Sequence, residues 1–83
     1  MAPSLNKIPI GQVCWIKEVT ASGILRRRLL DLGFVPGGSV FIVRRAPLGD
    51  PTAYLVRGAL IALREEEALT IDCQVNEGED AFC

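Results

Sequence analysis

The chain has 83 residues, 49% of them hydrophobic and 23% charged, enough for one domain around one small core. Net charge is −1, with no histidine and three cysteines (Cys14, Cys73 and Cys83), so the commonest acid–base group near neutral pH is missing. Three cysteines without C-x-x-C spacing also argue against a disulfide framework and a four-ligand structural zinc site.

No apolar run approaches the roughly 20 residues of a membrane helix, and Met1–Asn6 lacks the basic and apolar regions of a secretory signal. The expectation is a cytoplasmic protein that does not itself cross a membrane. Charge is unevenly spread. Through Arg64 there are nine Lys and Arg against three acids, and from Glu65 onward seven acids and no base. The last eight residues, Asn76–Cys83, read as a flexible acidic tail with Cys83 free, leaving a folded core over about residues 10–75.

Gln12–Val19 (QVCWIKEV) alternates as a strand with Cys14 and Ile16 on its buried side. Ser22 stands where an N-cap is wanted, and Leu25, Leu29 and Leu32 recur at helical spacing with Arg26, Arg27 and Asp31 turned to water. Gly33 suits the left-handed position that ends a helix, with Phe34 packing back on Leu29. Pro36 and Gly37 suit the two central positions of a type II turn. Ser39–Arg45 (SVFIVRR) reads as a strand with Val40 and Ile42 on one face. Phe41 and Val43 make its other face apolar too, so that face is expected to be covered, by the helix.

Ala46–Pro51 (APLGDP), with two prolines and a glycine, must be a loop. Thr52–Arg57 is the next strand, with Thr52, Tyr54 and Val56 on one side. Gly58 breaks it, and Ala59–Leu63 follows with Ile61 and Leu63 facing alike. Arg64–Ala68 has room for one helical turn, and Leu69–Val75 is a last strand with Ile71 and Cys73 together. About five short strands at this length form a small, partly closed β-barrel with one short helix inserted after the first strand.

Chemistry is sparse. The serines have no base partner, the glycines form no phosphate loop, and Glu65, Glu66 and Glu67 point in different directions on a helical turn. No enzymatic activity, cofactor or resident metal is expected. Cys14 and Cys73 become neighbours if the first and last strands pair, and are read as small core residues rather than a thiolate pair for a soft metal. The arginines lack spare aromatic platforms, because the aromatics fall where the core needs them, so nucleic acid is not expected. Leu48 is different: it sits at the tip of a loop stiffened by Pro47 and Pro51. Either it folds back over Phe34 or the helix, or it is presented to a protein partner at little entropic cost.

Together, LLDLGFVPGG (Leu29–Gly38), RRAPLGDP (Arg44–Pro51), VRG (Val56–Gly58) and ALREEEA (Ala62–Ala68) resemble the FeoA family over about Ile10 to Val75. The resemblance implies an SH3-like barrel and a non-enzymatic accessory role in bacterial ferrous-iron uptake. It further implies a partner, the membrane transporter FeoB with its cytosolic GTPase region, and a place at the inner face of the cytoplasmic membrane. Similar domains end iron-dependent repressors, but a repressor role is not expected, because Met1–Gly11 has no room for a helix-turn-helix. The implied partner surface comprises Leu32, Gly33, Phe34 and Pro36 at the helix exit, Pro47, Leu48, Gly49, Asp50 and Pro51 in the loop, and Arg57 and Arg64. The rival function is a carrier or sensor of ferrous iron through carboxylate or thiol groups, and weak self-association is a third expectation.

Overall fold

A computed structural model describes residues 3–75. Five antiparallel strands form one sheet: β1 (Val13–Val19), β2 (Ser39–Arg45), β3 (Thr52–Val56), β4 (Ala59–Leu63) and β5 (Ile71–Gln74), in the order β4-β3-β2-β1-β5. Helix α1 (Gly23–Leu32) joins β1 to β2, and the single turn α2 (Glu65–Ala68) precedes β5. Bulges between Ile16 and Glu18 on β1, and between Ile42 and Arg44 on β2, interrupt the register of the central strands. Such irregularities bend a strand and sharpen its twist, which lets a five-stranded sheet curl around its own core. This is the expected SH3-like architecture. The tail Asn76–Cys83 and Cys83 lie outside the described residues.

Alternation decides what the curl encloses. Cys14, Ile16, Val40, Ile42, Tyr54, Val56, Leu63, Ile71 and Cys73 all point inward and are buried, matching the face expected for each strand. Leu29 of α1 joins them, with Leu25, Leu30 and Leu32 half-buried against the same core. Phe34 meets Tyr54 edge to face, ring centroids 6.4 Å apart at 88°, a geometry that favours the aromatic quadrupoles.

The helix stop follows the expected chemistry. Gly33 has φ 113°, its N–H donates to the Leu30 carbonyl, and the Phe34 N–H donates to Leu29 at 3.0 Å. Those two bonds satisfy carbonyls that the helix end would otherwise orphan. Gly37 (φ 89°) sits in a turn closed by Gly38 N–H to Val35 C=O at 2.9 Å.

Four expectations are corrected. The folded unit does not begin at residue 10: Leu5–Lys7 form a 3₁₀ turn whose Leu5, with Ile8 beyond it, is buried in the core. Their i, i+3 spacing was the available signal, too short to stand out. Ser22 occupies the N-cap position, but its hydroxyl makes no capping bond, because the chain enters the helix through Gly23 at φ 64° and the usual cap geometry is not set up. Phe41 and Val43 are only half-buried and lie outside the core; α1 packs on the inner cluster instead. Trp15 likewise stands exposed on the outer face rather than serving the core.

Candidate functional site

The Ala46–Pro51 loop is built to hold one side chain out. Gly49 N–H donates to the Ala46 carbonyl at 2.7 Å, closing a four-residue turn with Pro47 at its second position and Leu48 at its third. Proline pre-sets the backbone there, and Gly49 supplies the positive φ of 93° that lets the chain leave. A second bond, Ala46 N–H to Pro51 C=O at 3.0 Å, pinches the base. Leu48 at the tip is 95% exposed, so it does not fold back over Phe34 or the helix.

Asp50 fastens this loop to α2. Its Oδ1 accepts the Glu65 backbone N–H at 2.9 Å and its Oδ2 lies 3.7 Å from Arg64 Nη1. A carboxylate from a distant loop thus caps the first turn of α2, where charge and hydrogen bond act together. Glu67 Oε1 accepts the Arg64 N–H at 2.9 Å, and Glu67 also pairs with Arg28 of α1. Asn6 Nδ2 donates to Glu65 at 3.4 Å, and Arg45 donates to the Asn6 and Ile8 carbonyls. Loop, α2, α1 and the 3₁₀ turn are therefore one stitched end of the barrel, with Leu48 as its apolar point. Asp50→Ala is expected to cost about 1 kcal/mol of stability through the lost cap. Thermal unfolding checks the size, and broadened Leu48 and Gly49 amide resonances would report the loosened loop.

The residues at the helix exit lie elsewhere. Arg57 and Gly58, at φ 53° and 83°, form the two-residue turn joining β3 to β4, the conformation of a type I′ hairpin. A Cβ added at Gly33 would lie 2.9 Å from Arg57 Cδ and 3.0 Å from Val56 Cγ1, so the Arg57 stem covers Gly33. Thr52 follows the loop directly, while Val56 precedes Arg57, so the length of β3 separates the two groups by about 16 Å. The single partner surface expected from the sequence is thus two patches. One holds Pro47, Leu48, Gly49, Asp50, Pro51 and Arg64; the other holds Leu32, Gly33, Pro36 and Arg57. Phe34 belongs to neither: it is fully buried and supports the second patch from beneath. The sequence could not show this, because spacing along a chain does not say which end of a strand a turn occupies.

Among the described residues no three Cys, Asp or Glu side chains converge to hold a metal ion. No helix there is long and apolar enough to cross a membrane. Cys14 and Cys73 are both buried on the paired strands β1 and β5. A hydrogen bond to Cys14, reinforced by burial, pushes the Cys73 thiol well above the ordinary thiol range. The same bond favours the Cys14 thiolate, against burial.

Comparison with known proteins agrees with this architecture. The chain is 34% identical over 71 residues to an Fe(2+) transport protein A/Fe(2+) transporter FeoB fusion protein of Porphyromonas gingivalis, matching 86% of this chain but only 8% of that protein. It superposes on iron(II) transport protein A of Clostridium thermocellum with TM-score 0.86 and 39% identity, over 90% of this chain and 46% of that one. FeoA of Stenotrophomonas maltophilia, a zinc complex described as a prokaryotic SH3 domain protein, gives TM-score 0.79 and 31% identity over 88% and 91% of the two chains. The family model of the FeoA domain matches residues 4–75, taking in the buried 3₁₀ turn, both patches and all five strands, and the chain belongs to the FeoA family.

Proposed function

We propose that this domain is a non-enzymatic accessory of ferrous-iron uptake that docks on the cytosolic region of FeoB through the Leu48 loop. The observation that carries the reading is Leu48 itself, 95% exposed on a loop held by a proline turn and by Asp50. An apolar side chain so presented loses little freedom on binding and suits a hydrophobic notch on a partner. The fusion of a relative to FeoB supports the choice of partner, since a covalent tether is useful only where the two parts meet. Asp50 and Arg64 act as the frame of the loop.

A ¹⁵N-labelled sample titrated with the isolated cytosolic region of the transporter tests this. Saturable amide shifts are expected at Leu48, Gly49 and Asp50. Leu48→Asp should weaken binding by about 30-fold or more, the loss typical of a central anchor. Its unfolding midpoint should barely move, because the side chain contributes nothing to the core. Wild-type affinity in the Leu48→Asp variant would sink the proposal.

One observation favours a second reading, a metal-binding role: the zinc in the S. maltophilia relative. Against it, the carboxylates of Asp50, Glu65 and Glu67 are already engaged with Arg64, Asn6 and Arg28. Anaerobic equilibrium dialysis with ferrous iron separates the readings; stoichiometric binding lost in a Cys14→Ser, Cys73→Ser variant would favour the metal.

A further inference from the structure

The two edges of the sheet are treated differently. At β5, Cys73 N–H donates to the Pro3 carbonyl at 2.8 Å and Ser4 bridges Asp72, so the N-terminal segment blunts that edge. At the other edge β4 pairs with β3 alone among the described strands. Its sequence, ALIAL, carries no charge and no proline, and its register runs without a bulge from Thr52–Leu63 to Val56–Ala59. These are the devices by which sheets usually protect an edge, and β4 has none of them.

The free backbone groups on β4 can be named. A two-residue turn makes Val56 and Ala59 a hydrogen-bonded pair. Alternation along an antiparallel ladder then commits Ala59, Ile61 and Leu63 to β3 and points the N–H and C=O of Leu60 and Ala62 outward.

We propose that β4 pairs antiparallel with β4 of a second copy, about a twofold axis through Ile61, to make one sheet running through both barrels. In this register Leu60 lies opposite Ala62 of the second copy, and Ala62 opposite its Leu60. Both residues with free groups thus form hydrogen-bonded pairs, four backbone bonds in all. Their side chains share the outer face, where a large residue meets a small one across the axis. On that face Leu60, 57% exposed, ends a cross-strand row that continues through Leu55 and Phe41 to Val13. Pairing would set the two rows side by side, with the Leu60 side chains diagonal to each other across the axis. The same register brings the Arg57 end of one strand to the end of the other where Arg64, paired with Asp50, is followed by Glu65, Glu66 and Glu67, so a basic end meets a net acidic one at both ends. A second copy is the occupant that fits, because free bonds, side-chain sizes and charges are each self-complementary under one axis.

Sedimentation of the full chain over a range of concentrations is the test, with amide exchange recorded on the same samples. The mass should rise from 9.0 kDa toward twice that, and the Leu60 and Ala62 amides should gain protection with concentration. Ile61 and Leu63 amides, already bonded to β3, should not change. Ala62→Lys should weaken association by roughly tenfold or more by putting a charge on the edge. Arg57→Glu should weaken it too, and Arg57→Glu with Glu65→Arg should restore it. A chain that stays monomeric at every concentration, or a dimer indifferent to Ala62→Lys, would overturn the proposal.

Discussion

Gly33→Ala should lower the stability of this domain by about 3 kcal/mol, the sum of two costs located at one atom. The first is backbone strain. At φ 113° and ψ 2° the residue lies where an L side chain is rarely tolerated, at a cost on the order of 1–3 kcal/mol. The second is space, because the new Cβ would stand 3.0 Å from Val56 Cγ1 and 2.9 Å from Arg57 Cδ. Val56 is buried and cannot step aside without disturbing the core, which adds about 1–3 kcal/mol for overpacking. In a domain of this size the unfolding midpoint should fall by roughly 15 °C.

A double-mutant cycle apportions the loss. Arg57→Gly removes the stem over Gly33 and also relieves its own positive φ of 53°. In that background Gly33→Ala should cost about 1 kcal/mol less. An unchanged cost would mean that the arginine simply swings away, leaving Val56 and the backbone to account for the whole effect.

Alkaline pH should destabilise the fold more steeply than its surface charges alone would. The ordinary thiol value is 9.0. Above it, both unfolded thiols lose their protons. In the folded state the pair yields one proton from Cys14, helped by the hydrogen bond from Cys73, and retains the other on Cys73. The native state then binds more protons than the unfolded state, so stability falls as pH rises. The slope is about 1.4 kcal/mol per pH unit for the one retained proton. Tyr54 acts in the same sense above its usual value of 10.0, because burial pushes its hydroxyl up. Urea midpoints should therefore drop as pH rises from about 9 to about 11, and Cys73→Ala should flatten the early part of that fall. A profile identical in Cys73→Ala would assign the whole effect to other groups.

Much of the fold was legible in local chemistry. Ser39–Arg45 and Ala59–Leu63 match the observed strands residue for residue: the first is rich in β-branched and aromatic residues between Gly38 and Pro47, and the second is an apolar run opened by Gly58. The Gly33 stop and the Pro36–Gly37 turn were legible for the same reason: each depends on the φ of one residue. The 3₁₀ turn at Leu5–Lys7 was not, since two apolar residues announce a core only once the β5 edge they cover is in place. The candidate site divided along the same line. That Leu48 stands on a stiff loop could be read from Pro47, Gly49 and Pro51, but whether it points at solvent could not.

The inward residues of most strands, the places where the chain turns and the family patterns it carries are all written in local sequence. Side-chain alternation and turn conformation act within a few residues, and a linear chain states them directly. That Asp50 caps α2, that Arg57 covers Gly33, and that the expected partner surface lies at two ends of β3 emerge only from the folded arrangement. The folded arrangement also covers β5 with the N-terminal segment and leaves β4 paired with β3 alone among the described strands. Each of those outcomes depends on strand order and curl, set by bulges and by packing among residues distant in sequence, and no local pattern encodes them.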